Sequence, residues 1–207
     1  MSRSFLPREH GAYGQLGVPL AAALGSGRPG LAAIALTLGV IVMFLTHEPL
    51  LRFAMRRGGR ARQTARTARQ IEHSLPGELV LATALAGAAV PVAIACGVAP
   101  SSAMWTWVAW AVGFGAVTCA VHAAVIKRRR RDPLAGRTVG LVFVAVAIAL
   151  AIARPVPVMA VLPLVVAAIA LHALAPSPRR VRQVGWTLMT ATMAAGTWTV
   201  IATRLAG

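Results

Sequence analysis

Long apolar stretches alternate with short basic segments along the whole chain. A transmembrane helix needs about 17 to 25 mainly apolar residues, because it rises about 1.5 Å per residue and crosses about 30 Å of hydrocarbon. Seven stretches meet or approach that length: residues 11–27, 31–47, 78–99, 104–126, 138–153, 158–175 and 184–202. The pattern predicts an all-α, polytopic transmembrane helix bundle of about seven spans, with residues 1–207 as a single transmembrane domain.

The composition agrees with a membrane protein and not with a soluble domain. Hydrophobic residues make up 57% of the chain and charged residues only 13%, whereas about a quarter of the residues in an average soluble domain are charged. The two cysteines, Cys96 and Cys119, lie near opposite ends of two neighbouring stretches. This separation exceeds the reach of a disulfide, so we expect both thiols to be free.

The charges are strongly basic and unevenly placed. Lys and Arg number 21 against 5 Asp and Glu, and on a seven-span arrangement only Arg28, Arg154 and Arg204 fall on one of the two sides. Cytoplasmic loops retain Lys and Arg during insertion. We therefore expect a multi-pass membrane protein with a cytoplasmic N-terminus and an external C-terminus.

Two other interpretations of the basic, apolar chain are weaker. Nucleic acid is not an expected partner, because the basic residues have no aromatic residues among them and match no RNA- or DNA-binding module. Residues 1–25 end in "LAAALG", which resembles a signal-peptide cleavage site, but Gln15 and Pro19 interrupt the apolar core that such a peptide needs. We expect the first stretch to remain as a span.

Residues 48–77 are predicted to form a basic cytoplasmic loop that carries seven arginines. Two interpretations of this loop stay open. It can be a solvated arm at anionic headgroups, where each Lys or Arg contributes about 1 kcal/mol, or an arm whose guanidinium groups bind phosphate in pairs of hydrogen bonds.

Small residues and prolines predict how the spans pack. Gly17, Ala21 and Gly25 recur every four residues in the first stretch, which predicts close approach of a neighbouring helix. Prolines inside three stretches predict local kinks, and they are Pro19, Pro91 and Pro163.

Four histidines are predicted to lie in one layer at the cytoplasmic interface, and they are His10, His47, His122 and His172. Glu9 and Glu48 adjoin two of them. Such groups can bind a metal, relay protons or hydrogen-bond a phosphate, or they can be independent interfacial residues. None has the spacing of a strong metal motif, so we expect no metal and no cofactor.

Polar residues near the cytoplasmic ends of the stretches are the candidate binding residues, because polar groups within spans generally face the bundle or a wet cavity. The residue types allow no catalytic residue to be assigned. The candidates for substrate binding are Arg8, Glu9, His10, Gln15, His47, Glu48, Arg52, His122, Lys127 and Arg128.

Two sequence blocks resemble a known family. "PREHGAYGQLGVPL", followed after the second stretch by "FLTHEPLLRFAMRRGGRAR", resembles the YwiC-like family of bacterial membrane proteins, whose members begin with a similar P-x-x-H-G-A segment and carry H-x-P-L at the end of the second span. The resemblance implies a multi-pass protein of the bacterial inner membrane with no established biochemical activity.

A more distant likeness is to UbiA-type prenyltransferases. Those enzymes share a cytoplasmic N-terminus, and Lys127 and Arg128 resemble in position a basic pair after their fourth helix. They also hold Mg²⁺ and a prenyl diphosphate with two Asp-rich motifs. This chain offers only Glu48 at the first motif and "APSPRRVRQ", without an acid, at the second. Since Mg²⁺ requires oxygen ligands, the magnesium-dependent chemistry is not expected.

These features together favour binding over catalysis. The expected function is binding of membrane lipids, namely an anionic lipid or isoprenoid phosphate, at a cytoplasmic-side pocket without the Asp-rich motifs. The alternatives left open are a UbiA-like prenyltransferase with a rearranged site, and a small transporter or a partner subunit of a membrane protein complex. No acid falls in the middle of a span, which disfavours proton-coupled transport.

Overall fold

The computed structural model describes residues 10–56, 59, 63–64, 67, 74–128, 134–153, 160–174 and 181–206. Side chains are described in these ranges except at residues 10–12, 48, 51–52, 54–56, 124–128, 134–137, 181–182 and 206. All regular secondary structure in the described residues is helical, and none of it is strand. Its helices are α1 (His10–Ser26), α2 (Leu31–Arg56), α3 (Leu75–Gly87), α4 (Ala89–Ala95), α5 (Pro100–Arg128), α6 (Leu134–Ala153), α7 (Leu162–Leu174) and α8 (Val181–Ala206).

Helices α3 and α4 follow one another directly and are separated only by Ala88. Pro91 has no N–H, so the carbonyl four residues earlier, that of Gly87, loses its helical partner, and α3 ends at this residue. The indole N–H of Trp107 donates to the nearby carbonyl of Thr83 at 3.0 Å. The helix is therefore interrupted near Pro91, whereas Pro19 lies inside the unbroken α1 and Pro163 lies in the first turn of α7, where a missing N–H is tolerated.

Helix α5 lies at the centre of the bundle and packs against α3, α4, α6 and α7. Its middle turns place Trp110 and Phe114 in the core, each 2% exposed, with ring centroids 5.2 Å apart. Gly113 allows close approach to Leu164, because a Cβ there would lie only 3.1 Å from the leucine side chain. This combination of large and absent side chains explains why α5 can contact so many neighbours.

Helices α1 and α8 pack closely through glycines, but the contact face differs from the predicted one. A Cβ on Gly25 would meet Val200 at 2.9 Å, and one on Gly196 would meet Val18 at 2.5 Å. Gly17 has no heavy atom within 4 Å of its added Cβ, and Ala21 is exposed. Of the predicted stripe only Gly25 lies in a tight helix contact.

Helix α2 lies at the edge of the bundle and packs chiefly against α4. Its large apolar side chains are exposed on several sides, and they are Leu31, Ile34, Leu36, Leu38, Ile41, Val42, Met43, Leu45, Leu50 and Phe53. Soluble monomers rarely expose so large a contiguous apolar surface. The helix also continues to Arg56, past the end of the apolar stretch at His47.

Two segments in the described part of the chain are long and apolar enough to cross a membrane. They are Leu75–Ala95, which joins α3 and α4 in 21 residues, and Pro100–Ala123 in α5, with 24 residues. Shorter apolar helical segments span Leu31–His47, Thr138–Ala153 and Leu162–Leu174. These findings favour a membrane protein, while seven spans and the sides of the two termini stay predictions.

Candidate functional site

The two ends of the bundle differ in charge. At one end of the bundle, called here the basic end, the terminal turns of the helices contain six basic residues. They are Arg52, Arg56, Lys127, Arg128, Arg137 and Arg182. At the other end, called here the opposite end, the backbone N–H of Arg28 donates to the carbonyl of Cys96 at 2.8 Å, and Nε of Arg204 donates to the carbonyl of Gly25 at 2.7 Å. Positive charge is therefore concentrated where α2 and α5 end and where α6 and α8 begin.

A carboxylate and an imidazole meet at the basic end, between α3 and α5. Oε2 of Glu78 lies 3.2 Å from Nδ1 of His122. The Glu78 side chain is 37% exposed and that of His122 is 19% exposed. The contact joins residues separated by 44 positions in the chain, so it depends on the packing of two helices and not on a local motif.

The first turn of α3 holds Glu78 in place. The Ser74 side chain caps this helix by accepting the N–H of Gly77 at 3.2 Å, and the N–H of Glu78 donates to the Ser74 carbonyl at 2.8 Å. A carboxylate in the first turn is stabilised by the partial positive charge of the helix N-terminus. In its ionised state the Glu78 carboxylate only accepts hydrogen bonds, and Nδ1–H of His122 is then the donor.

His172 approaches the same region from α7. A Cβ on Gly140 would lie 2.5 Å from Nε2 of His172 and 3.3 Å from Cβ of Cys119. Cys119 precedes His122 by about one turn of α5. The missing side chain at Gly140 therefore leaves room for His172 beside the turn of α5 that leads to the Glu78–His122 pair.

The described side chains test the predicted histidine layer only in part. His122 and His172 both lie near this turn of α5, whereas His47 is exposed on the peripheral helix α2. Gln15 is half-buried on α1, where the neighbouring Tyr13 makes an edge-to-face contact with Phe44 of α2 at 5.3 Å. That His47 shares a site with His122 stays a prediction.

The other predicted binding residues fall outside what the structure describes. Arg8 and Glu9 lie outside the described residues altogether. For His10, Glu48, Arg52, Lys127 and Arg128, only the backbone is described, in α1, α2 and α5. Their part in a common site stays a prediction.

No metal-binding cluster is present among the described residues, since no three His, Cys, Asp or Glu side chains there are arranged to hold an ion. Cys96 and Cys119 are buried free thiols, which confirms that they form no disulfide. The sequence prediction missed Glu78 as a site residue. Its signal was available, because Glu78 begins one apolar stretch and His122 lies near the corresponding end of the next, so antiparallel packing brings them to one depth.

Comparison with known proteins adds one result to this geometry. Residues 6–71 match the family model described as YwiC-like protein. The resemblance seen in the two sequence blocks is thereby confirmed for this YwiC-like segment, which contains α1, α2 and the Tyr13–Phe44 contact. Glu78, His122 and His172 lie beyond it.

No curated protein and no solved structure matches the chain. The likeness to UbiA-type prenyltransferases is therefore not supported by any of these comparisons. The YwiC-like segment is joined to the rest of the bundle through the bond between Arg28 and Cys96 and through the packing of α1 against α8.

Proposed function

We propose that this protein is a multi-pass protein of the bacterial inner membrane that binds an anionic lipid or isoprenoid phosphate at the basic end. Two membrane-length apolar segments and the exposed apolar surface of α2 support the location in a membrane. Seven spans, with the N-terminus and the basic end in the cytoplasm, follow from the positive-inside rule applied to the placement of Lys and Arg.

The Glu78–His122 pair is the observation on which the binding proposal rests. Polar groups at the end of an apolar bundle are costly to bury and are often functional. Because Glu78 holds Nδ1 of His122 at 3.2 Å, Nε2 is the ring nitrogen that can turn to a ligand. When the ring is protonated, Nε2–H becomes a charged donor to a phosphate oxygen.

The basic helix ends supply the remaining charge for an anionic ligand. Arg52 and Lys127 are on helices that end at the same end of the bundle as the pair. Guanidinium and ammonium groups bind phosphate directly, so no bridging metal is needed. A phosphate there would also balance the excess of cations over the carboxylate of Glu78.

The test is native mass spectrometry of the full chain in mild detergent after equilibration with one lipid at a time. Phosphatidic acid and farnesyl phosphate are the two anionic probes, and phosphatidylcholine is the zwitterionic control. We expect retention of one anionic probe and little retention of phosphatidylcholine. Preference between the two probes would distinguish a lipid headgroup from an isoprenoid phosphate.

Matched variants separate the proposed site from general charge effects. His122→Ala and Lys127→Gln should each weaken retention about tenfold or more, since hydrogen bonds to charged groups contribute roughly 1.5–3 kcal/mol. Arg28→Gln removes one positive charge at the opposite end and should leave retention unchanged. Equal retention by His122→Ala and the wild type, with all variants folded, would refute the proposal.

A further inference from the structure

A small cavity lies towards the opposite end of the bundle, among α1, α3, α4, α5 and α8. Its volume is about 30 Å³, and about 10–15 Å³ measured in this way is enough for one water molecule. Most of its wall consists of small apolar side chains and two tryptophans, Trp107 and Trp110. The polar side chains in the wall otherwise bear hydroxyl groups: Ser26, Thr106, Thr199 and Thr203.

Each of these hydroxyls has already donated its hydrogen to the carbonyl four residues earlier in its own helix. Ser26 and Thr203 do so at 2.7 Å, and Thr106 and Thr199 at 2.8 Å. The indole N–H of Trp107 donates to Thr83. A hydroxyl has one hydrogen and two acceptor lone pairs, so the polar side chains of this wall offer acceptors while their donors are in use.

An occupant of this cavity must therefore donate hydrogen bonds or be a cation. Two cationic residues, Arg28 and Arg204, lie at the same end, and Nε of Arg204 is bonded to the carbonyl of Gly25, next to Ser26. Their positive charge disfavours binding of a further cation in the cavity. The cavity is partly open, and its volume has room for one or two water molecules.

We propose that the cavity is a binding site for an ordered water molecule, which donates its two hydrogens to hydroxyl oxygens of α1 and α8. This water would join the YwiC-like segment, through Ser26, to the end of α8. The proposal is independent of phosphate binding at the basic end, because it rests on different residues.

X-ray hydroxyl-radical footprinting of the full chain in detergent tests the proposal, since bound water forms radicals next to the side chains it touches. Trp110 is 2% exposed, and Leu164, which does not line the cavity, is 0% exposed. After correction for intrinsic reactivity, we expect Trp110 to be oxidised clearly faster than Leu164. Equal rates would overturn the proposal.

Two variants and one control test the role of the hydroxyls. Thr199→Val with Thr203→Val removes two acceptors at nearly constant volume, and Ser26→Ala removes a third; each should lower Trp110 oxidation. Thr190→Val is the control, because Thr190 makes the same type of bond, to Trp186 at 3.0 Å, but does not line the cavity. Undiminished Trp110 oxidation in both hydroxyl variants would overturn the proposal, as would a melting temperature raised specifically by sodium or ammonium ions.

Discussion

Replacing Gly27 with Ala should weaken the packing of the YwiC-like segment against the C-terminal end of α4 and lower the free energy of unfolding. An added Cβ would lie against the backbone carbonyl group of Cys96, 2.9 Å from its carbon, and 2.9 Å from the Cys96 Cβ. A backbone carbonyl cannot rotate away as a flexible side chain can. The same carbonyl oxygen accepts the N–H of Arg28 at 2.8 Å, so moving the loop to relieve the clash would also break this bond.

The size of the effect follows from these two contacts. Overpacking costs about 1–3 kcal/mol and loss of the hydrogen bond about 0.5–1.5 kcal/mol, while Ala in place of Gly restricts the unfolded chain and returns about 0.4–1 kcal/mol. The net expectation for Gly27→Ala is a loss of roughly 0.5–4 kcal/mol. Gly27 has no positive φ, so close approach, and not backbone conformation, is the cause.

Gly30 in the same loop provides the matched control, because no heavy atom lies within 4 Å of its added Cβ. Gly30→Ala should leave the free energy of unfolding unchanged or raise it by about 0.4–1 kcal/mol. Both variants can be measured by reversible unfolding of the purified protein in mixed micelles with increasing dodecyl sulfate. If Gly27→Ala is as stable as Gly30→Ala, the described contact between this loop and α4 is wrong.

Three further predictions concern the basic end, the thiols and the topology. Gly140→Ala would place a Cβ 2.5 Å from Nε2 of His172, so it should destabilise the protein by about 1–2 kcal/mol in the same unfolding assay. Gly185→Ala is the reference for this loss, because Gly185 is also helical but has open space around its added Cβ. Cys96 and Cys119 are buried, so both should react slowly with maleimide in the folded protein and rapidly after denaturation; fast labelling of the folded protein would contradict their burial. Alkaline phosphatase fused to the C-terminus should be active and green fluorescent protein fused there should be dark, and the reverse pattern would refute the proposed orientation.

The candidate site was predictable only in part, for reasons that particular residues make clear. His122 could be assigned to the basic end because its depth follows from its position in an apolar stretch. The sequence also places Glu78 at that depth, but it does not show that the two side chains meet, since their contact depends on how α3 and α5 are rotated against each other. His47 shows the same limit: its depth matched that of His122, but it lies exposed on the edge helix α2.

Helix packing faces were equally beyond the sequence. Gly17 and Gly25 are both glycines of α1, and the four-residue spacing gives no reason to distinguish them. Of these two, only Gly25 contacts a neighbouring helix, because α8 crosses α1 on the face that contains Gly14, Val18 and Gly25. On α8 their respective contacts are Met189, Gly196 and Val200. A crossing angle is a property of two packed surfaces and has no local sequence signature.

What the sequence determined by itself is the set of properties that depend on local pattern. The helical class, the approximate stretches, the concentration of Lys and Arg at alternate helix ends and the break associated with Pro91 all follow from hydrophobicity, charge and backbone chemistry within a few residues of each position. The tertiary structure alone decided which side chains meet: Glu78 with His122, Gly140 with His172, the Gly27 loop with Cys96, and the four hydroxyl residues around one cavity. These contacts join residues far apart in the chain, and they arise from the rotation and crossing of helices, which packing of the whole bundle selects.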